Sequence, residues 1–227
     1  MTTTLGFDVY GTLIDTHGVV HSLAKHVGPH ALAFSNAWRA KQLEYSFRRG
    51  LMKQYQTFAI CTSQALDYTC SQFKVPIEQE ARRQLLEEYQ ALPPFQDAME
   101  GLARAKQSGF KLFAFSNGNG SEVEALLEHA ELRDWFIDVV SVDEVKSFKP
   151  DPYVYAHFLK RADASGDDAW LISSNPFDVI GSLSAGMRSV WVQRSPEALF
   201  DPWGIEPTLT VQGLSNLADQ ILSWKNN

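Results

Sequence analysis

Five short apolar runs stand out along the chain. They are "TLGFDV" (4–9), "FKLFAFS" (110–116), "IDVVSV" (137–142), "AWLISS" (169–174) and "RSVWVQ" (188–193). Each is too short for a buried helix and lacks polar alternation, so each predicts a strand covered on both faces. Helix-period segments separate the later runs. "AMEGLARAKQSG" ends on Gly109, a suitable C-terminal cap. "SEVEALLEHAEL" opens on Ser121 with Glu124 three residues on, which predicts a capping box. "PYVYAHFLKRAD" and "DVIGSLSAGM" follow the same pattern. Strand and helix in alternation predict an α/β domain with a parallel, Rossmann-like sheet.

The first crossover breaks the rhythm. About 100 residues separate Val9 from Phe110, whereas a strand–helix–strand unit needs only ~30. The excess is not low-complexity. It predicts helices over 18–27, around 31–52, over 56–73 and over 77–91, and "ALPPFQDA" (91–98) has the Pro93-Pro94 pair of a return hinge. The expected organisation is a core of residues 1–14 plus 94–227, with a helical cap of residues 15–93 inserted after the first strand.

Composition narrows the function. The 227 residues are 44% apolar, enough to fill a core and too many for a disordered chain. Net charge is −7, and no basic block exceeds the pairs Arg48-Arg49 and Arg82-Arg83. Nucleic acid and polybasic membrane anchoring are therefore not expected. Two cysteines, Cys61 and Cys70, form no CxxC or Cys/His cluster and are read as reduced, half-buried thiols. "MTTTLGFDVY" has neither a basic n-region nor a long apolar stretch, so a soluble, cytoplasmic protein is expected.

The chemistry gathers where the strands end. Asp8 closes the first run, Ser116-Asn117 the second, Lys149 follows the third, and Ser173-Ser174-Asn175 closes the fourth, with Asp178 close behind. Singly, each has an ordinary reading: a turn, a cap, a surface lysine. Together they meet at the edge where open parallel sheets bind ligands. A carboxylate beside a lysine and hydroxyls can serve as a covalent nucleophile, which assigns that part to Asp8. Lys149, with Thr12 or Ser173, can hold and orient it. Ser116 and the backbone N–H groups after Asp8 can take an anionic substrate group.

These residues resemble the haloacid dehalogenase superfamily, with Asp, Ser/Thr, Lys and acid at successive strand ends. Most members are magnesium-dependent phosphatases with Asp-x-Asp-x-Thr first and a Gly-Asp-x-x-x-Asp-like fourth motif. This chain differs twice. Tyr10 replaces the second Asp in "DVYGT", and Ser174 replaces the first acid in "SSNPFD". A phosphatase needs the former to protonate an alkoxide, whereas halide leaves as a stable anion. Magnesium also favours carboxylate oxygens, and two suppliers are missing.

Both differences are those of the L-2-haloacid dehalogenases. "FDVYGTL", "WRAKQLEYSFRRGLM", "FSNG", "SVDEVKSFKPDPYVY" and "SSNPFD" are similar to that family at compatible spacing, across nearly the whole chain. The resemblance implies a haloacid dehalogenase-like fold and hydrolytic dehalogenation. Short L-2-haloalkanoic acids would become D-2-hydroxy acids, and haloacetates glycolate, without metal or other cofactor. Asp8 would displace halide, and water would then attack the resulting ester at the Asp8 carbonyl carbon. Asp178 would activate that water with help from Asn175. Lys149, Ser173 and Thr12 would orient Asp8, and Tyr155 would support Lys149 or the nucleophile. Ser116 and the backbone at Val9 and Tyr10 would bind the substrate carboxylate. Arg39, Asn117 and Phe177 would cradle the halide, and Tyr10, Leu43 and Phe58 would line an apolar pocket. The expected partners are a small halogenated carboxylate, water, halide and, by family analogy, a second copy of the chain. A phosphatase or phosphonatase on the same fold is the alternative that Tyr10 and Ser174 oppose. A non-catalytic binding module is opposed by the intact set Asp8, Lys149, Ser173, Asn175 and Asp178.

Overall fold

The apolar runs form the sheet, and a computed structural model describes residues 2–226. The strands are β1 (Thr4–Phe7), β2 (Lys111–Ser116), β3 (Asp138–Ser141), β4 (Ala169–Ser173), β5 (Arg188–Val192) and β6 (Leu209–Val211). Among the described residues they make one six-stranded sheet in the order β3-β2-β1-β4-β5-β6, and every pairing is parallel. Strand order reverses at β1, which sits between β2 and β4. Ligand crevices of open α/β sheets lie at such a reversal. Phe7 is level with Ala114 on one side and Ile172 on the other, so the next residue, Asp8, emerges at the centre of the sheet's carboxyl edge.

The helices are α1 (Val20–Val27), α2 (Ala31–Leu51), α3 (Phe58–Phe73), α4 (Gln79–Tyr89), α5 (Ala98–Gln107), α6 (Gly120–His129), α7 (Pro152–Arg161), α8 (Pro176–Ser184) and α9 (Leu217–Lys225). α1 to α4 fill the long interval between β1 and β2, as the helical periodicity predicts. α2 buries Ala31, Phe34, Ser35, Trp38, Gln42 and Ser46, a stripe at helical spacing. Thr57 caps the start of α3 by accepting from Ile60 N.

The chain leaves and re-enters the sheet through adjacent segments. Asp15 N donates to Pro93 O and Phe95 N donates to Leu13 O, both at 2.9 Å. A second tie lies elsewhere: Tyr55, between α2 and α3, donates to Asp143 Oδ1 at 2.8 Å and stacks on Phe148. The helical segment is thus fastened both at its ends and across its middle.

Local structure departs from the sequence reading in four places. Asn119, not Ser121, caps α6; its Oδ1 accepts from Ser121 N at 3.1 Å, and Glu124 pairs with Arg133 instead of closing a capping box. α8 starts at Pro176, two residues before the expected start, because proline suits a first helical position. β6 is an edge strand whose three residues carry too little pattern to be read. Cys61 and Cys70 are fully buried free thiols, not half-buried ones, and burial pushes both thiol pKa values up.

Gly6 reports how closely the sheet is covered. A Cβ there would stand 2.5 Å from Cζ of Phe158, a fully buried α7 ring. Gly6→Ala should therefore destabilise the protein by about 1–3 kcal/mol through overpacking. Urea unfolding would show it as a lower midpoint with an unchanged slope.

Candidate active site

Asp8 extends the parallel pairing by one bond, its N–H donating to Ile172 O at 2.9 Å. The chain then turns tightly. Leu13 N and Ile14 N both donate to Val9 O at 3.0 Å, and Gly11 adopts φ +88°, a conformation that favours glycine. The turn swings Thr12 back so that its hydroxyl donates to Asp8 Oδ2 at 2.8 Å. Asn175 Nδ2 donates to the same oxygen at 2.8 Å, and Lys149 Nζ donates to Oδ1 at 3.2 Å. Both oxygens of a nearly buried carboxylate are thereby oriented.

Lys149 is 1% exposed, and burying an ammonium costs several kcal/mol unless its protons are matched. Three acceptors match them: Asp8 Oδ1, Asp178 Oδ2 at 2.9 Å and Phe115 O at 2.9 Å. Nζ also lies 4.1 Å from the centre of the Phe115 ring. Its own backbone N–H donates to Asn117 Oδ1 at 2.9 Å, which ties the loop after β3 to the end of β2.

Asp178 sits in the first turn of α8 and is fully buried. Burial pushes its pKa up and the Asp8 charge adds to this, while Lys149 and Tyr155 oppose it. Tyr155 donates to Asp178 Oδ1 at 2.8 Å and to Asp178 O at 3.2 Å. This corrects the expected placement: Tyr155 supports neither Lys149 nor Asp8, but the second acid. Burial and Asp178 together hold its phenol far above the ordinary range, so it remains a donor.

Ser173 also differs from expectation. Among the described residues Asp8 is met by Thr12, Lys149 and Asn175, while the Ser173 hydroxyl accepts from Asn175 N at 3.2 Å. It holds the residue that holds Asp8. Ser174 donates to Gly11 O at 2.6 Å, and its N–H donates to Thr12 Oγ1 at 2.9 Å, which locks the turn after β1 to the end of β4. Ser116 is fully buried, and its oxygen accepts from Gly118 N at 3.1 Å.

Arg39 approaches from α2 and donates through Nη2 to Tyr10 O at 3.2 Å. The other two expected cradle residues have separate partners. Asn117 accepts from Lys149 N, and Phe177 packs edge-on against Phe47 at 4.9 Å. Tyr10 and Phe58 face each other at 5.7 Å and line a cavity of about 110 Å³ with Thr62, Tyr89, Gln90 and Glu122. Leu43 is not among that lining; it is half-buried on α2. Burial raises the Tyr10 phenol well above its ordinary pKa. Among the described residues no group of three or more His, Cys, Asp or Glu side chains converges as a metal site.

Two polar groups escaped the sequence reading. Arg194 grips both oxygens of Asp97 at 2.7 and 2.8 Å and donates to Thr12 O at 2.5 Å, bracing the turn after Asp8. Nothing local to the sequence distinguishes it. Gln42 is the other: a polar residue on the buried stripe of α2, which is a signal that periodicity alone could have raised.

A carboxylate at the central strand end, with a buried lysine and hydroxyl donors, is an arrangement that can carry covalent nucleophilic chemistry. The family model for haloacid dehalogenase-like hydrolases matches residues 2–186. The chain is 36% identical to (S)-2-haloacid dehalogenase H-109 of Pseudomonas putida, over 95% of this chain and 96% of that one. It is 35% identical to haloacetate dehalogenase H-2 of Moraxella sp. (strain B), over 91% and 92% respectively. The solved structure of L-2-haloacid dehalogenase from Xanthobacter autotrophicus with chloropropionic acid covalently bound superposes with TM-score 0.90 at 29% identity, covering 98% of this chain and 99% of that one. The chain belongs to the L-2-haloacid dehalogenase family within the haloacid dehalogenase-like hydrolases.

Removing the buried cation tests the electrostatic frame. Lys149→Met removes the cation that Asp8 and Asp178 share and leaves them only neutral donors, Thr12 and Asn175 for one and Tyr155 for the other, so it should cost about 3–5 kcal/mol near neutral pH. Asp178 has a raised folded-state pKa, and losing Lys149 raises it further. Its protonated form is favoured in the folded state, so its stabilising contribution is complete below the unfolded value near 3.8 and lost as pH rises through the folded value. The variant's deficit in urea unfolding should therefore grow from acid to neutral pH.

Proposed function

We propose that this chain hydrolyses short L-2-haloalkanoic acids to D-2-hydroxy acids, and haloacetates to glycolate, through an ester on Asp8. One observation carries the reading: the Asp8 carboxylate is oriented by Thr12, Asn175 and Lys149, with an aromatic residue at Tyr10. One Asp8 oxygen attacks C2 from the side opposite the halogen. The C–O bond forms as the carbon–halogen bond breaks, and halide leaves with the bonding pair, inverting C2. Halide needs no proton, which is compatible with Tyr10, whose raised pKa and burial make it a poor acid.

In the second half, Asp178 takes a proton from water, and the hydroxide adds to the Asp8 carbonyl carbon. The ester C–O bond on the Asp8 side then breaks, the hydroxy acid leaves with the proton held by Asp178, and Asp8, left as a carboxylic acid, releases the second water proton to solvent. A raised pKa suits such a base, because it can both take and return the proton. Tyr155 and Lys149 keep Asp178 in place. Asn175 places the water. Ser116 donates a hydrogen bond through its hydroxyl to the substrate carboxylate, while its oxygen accepts from Gly118 N. The backbone of Val9 and Tyr10 completes that subsite. Arg39, with Asn117 and Phe177, receives the halide. Arg39 is half-buried and bonded to the carbonyl two residues after the nucleophile, which supports this part. Tyr10, Phe58 and Leu43 contribute the apolar surroundings.

The division into a core of 1–14 plus 94–227 and a cap of 15–93 belongs to the same proposal. The paired bonds joining 15 to 93 and 95 to 13 support a boundary there. A homodimer contacting through the cap is supported by the outward apolar residues Leu51, Met52, Ile60 and Tyr68 on and beside α2 and α3. A cytoplasmic setting is compatible with the absence, among the described residues, of a helix long and apolar enough to cross a membrane.

Halide release from L- and D-2-chloropropionate and from chloroacetate, measured with EDTA present, tests the reading. Release from the L isomer and chloroacetate only is expected. Asp8→Asn should lower it on the order of 10⁴-fold or more. A single turnover in ¹⁸O-water should label Asp8 first, because the hydroxyl of the first product comes from Asp8. Label appearing directly in that hydroxy acid would overturn the ester route, and EDTA-sensitive cleavage of an aryl phosphate with no halide release would favour a phosphatase.

A further inference from the structure

Arg39 can serve a departing anion only if its guanidinium is held in place and keeps its charge. The group that holds it is not a carboxylate. Nη1 donates to Gln42 Oε1 at 2.7 Å, one helical turn further along α2, while Nη2 donates to Tyr10 O at 3.2 Å. Two of the five guanidinium protons are used on neutral oxygens, and three are left for an anion. A carboxylate at position 42 would instead form an ion pair and compete with that anion.

Gln42 is itself held on every side. It is 1% exposed. Its Nε2 donates to Thr62 Oγ1 at 2.5 Å, and Thr62 in turn donates to Phe58 O at 2.8 Å. Because the Thr62 proton is committed to Phe58, the oxygen of Thr62 can only accept from Gln42. That fixes the amide: nitrogen toward Thr62, carbonyl toward Arg39. Tyr89 adds a second donor to the same carbonyl at 3.2 Å, and the Tyr89 ring stacks on Tyr10 at 6.1 Å. The relay has one sense throughout. It starts at a main-chain carbonyl of α3 and ends at the cation of α2.

The other end of Arg39 reaches the nucleophile's support. Tyr10 O also accepts from Asn175 Nδ2 at 3.2 Å, and that same nitrogen donates to Asp8 Oδ2. We propose that Gln42, with its amide oriented by Thr62 and Tyr89, is a positioning residue that fixes Arg39 for the leaving halide without neutralising it. The inference rests on the halide role given to Arg39 above. It adds the reason for a glutamine on the buried stripe of α2, which the reaction itself does not use.

The test compares leaving groups. Saturating rates are measured for L-2-chloro-, bromo- and iodopropionate, together with product inhibition by bromide and iodide. Each variant is first checked for folding by circular dichroism and thermal unfolding. Gln42→Leu should lower kcat on chloropropionate by about 10- to 100-fold, lower it less on iodopropionate, and weaken halide inhibition. Thr62→Val frees the amide to turn and should give the same trend at smaller size, and Thr62→Ser should recover most of that loss. Thr62→Val removes a single hydroxyl, so it keeps the test decisive if Gln42→Leu folds poorly. Equal losses across the three halogens, with wild-type halide inhibition, would overturn the positioning role, because a merely structural effect does not discriminate among leaving groups. Arg39→Ala separates the two readings. If it leaves the halogen profile and halide inhibition unchanged, the assignment of Arg39 fails and Gln42's role fails with it. If it changes both while Gln42→Leu and Thr62→Val change neither, only the present inference fails.

Discussion

One ammonium group, Lys149 Nζ, lies between two buried carboxylates, and the rest of the site is arranged around it. Desolvating that cation is unfavourable unless all three protons are accepted. The acceptors come from the end of β1, the end of β2 and the first turn of α8. None is near Lys149 in sequence. They meet because Phe7 aligns with both Ala114 and Ile172, which puts Asp8 beside Phe115 at the sheet edge. A one-residue slip of β2 would exchange the faces of its side chains and move the Phe115 carbonyl away. Sheet register and the charge balance of the site are therefore one constraint, expressed once in backbone geometry and once in electrostatics.

The same constraint explains why the long helical insertion matters to chemistry. Two acids share one lysine, so the inner site on its own offers little free positive charge to an anionic substrate. The compensating cation, Arg39, comes from α2 and reaches only as far as the Tyr10 carbonyl. Its support is built within the helical segment, by Gln42, Thr62 and Tyr89. The core thus supplies the groups that hold Asp8, and the insertion supplies the charge that the proposed reaction needs when halide departs. The 13–15 and 93–95 pairing and the Tyr55–Asp143 bond fix how far apart those two contributions can be.

Much of this was legible in the sequence, for physical reasons that differ by residue. The strands were visible because doubly covered strands must be apolar throughout, and β1, β2 and β4 are buried along almost their full length. The placement of Asp8 was visible because a carboxylate ending such a strand requires partners. What stayed hidden was direction. Tyr155 is in a recognisable motif, but only the tertiary arrangement sends its hydroxyl to Asp178. Ser173 ends β4 at the carboxyl edge, yet its hydroxyl turns to the loop that follows it. Arg194 joins Asp97 to Thr12 across nearly the whole chain, a closure no local pattern encodes. β6 was missed because three residues at an edge carry no periodicity.

The difference between this site and a phosphoryl-transfer site comes down to what occupies one small volume. Asp8 Oδ2 and Tyr10 O both point at Asn175 Nδ2, and Tyr10 O also takes Arg39. Two oxygens that could otherwise face a hard cation are filled by N–H donors. The side chain at position 10, where a proton donor would serve an alkoxide, is instead an aromatic wall packed on Phe58 and Tyr89. Ser174 spends its hydroxyl on the Gly11 carbonyl, stiffening the turn instead of adding charge. Each substitution alone would be a small change to a common scaffold. Jointly they leave Asp8 without a carboxylic acid at position 10 or 174 to protonate a leaving group, an arrangement that suits the proposed departure of a group stable without a proton.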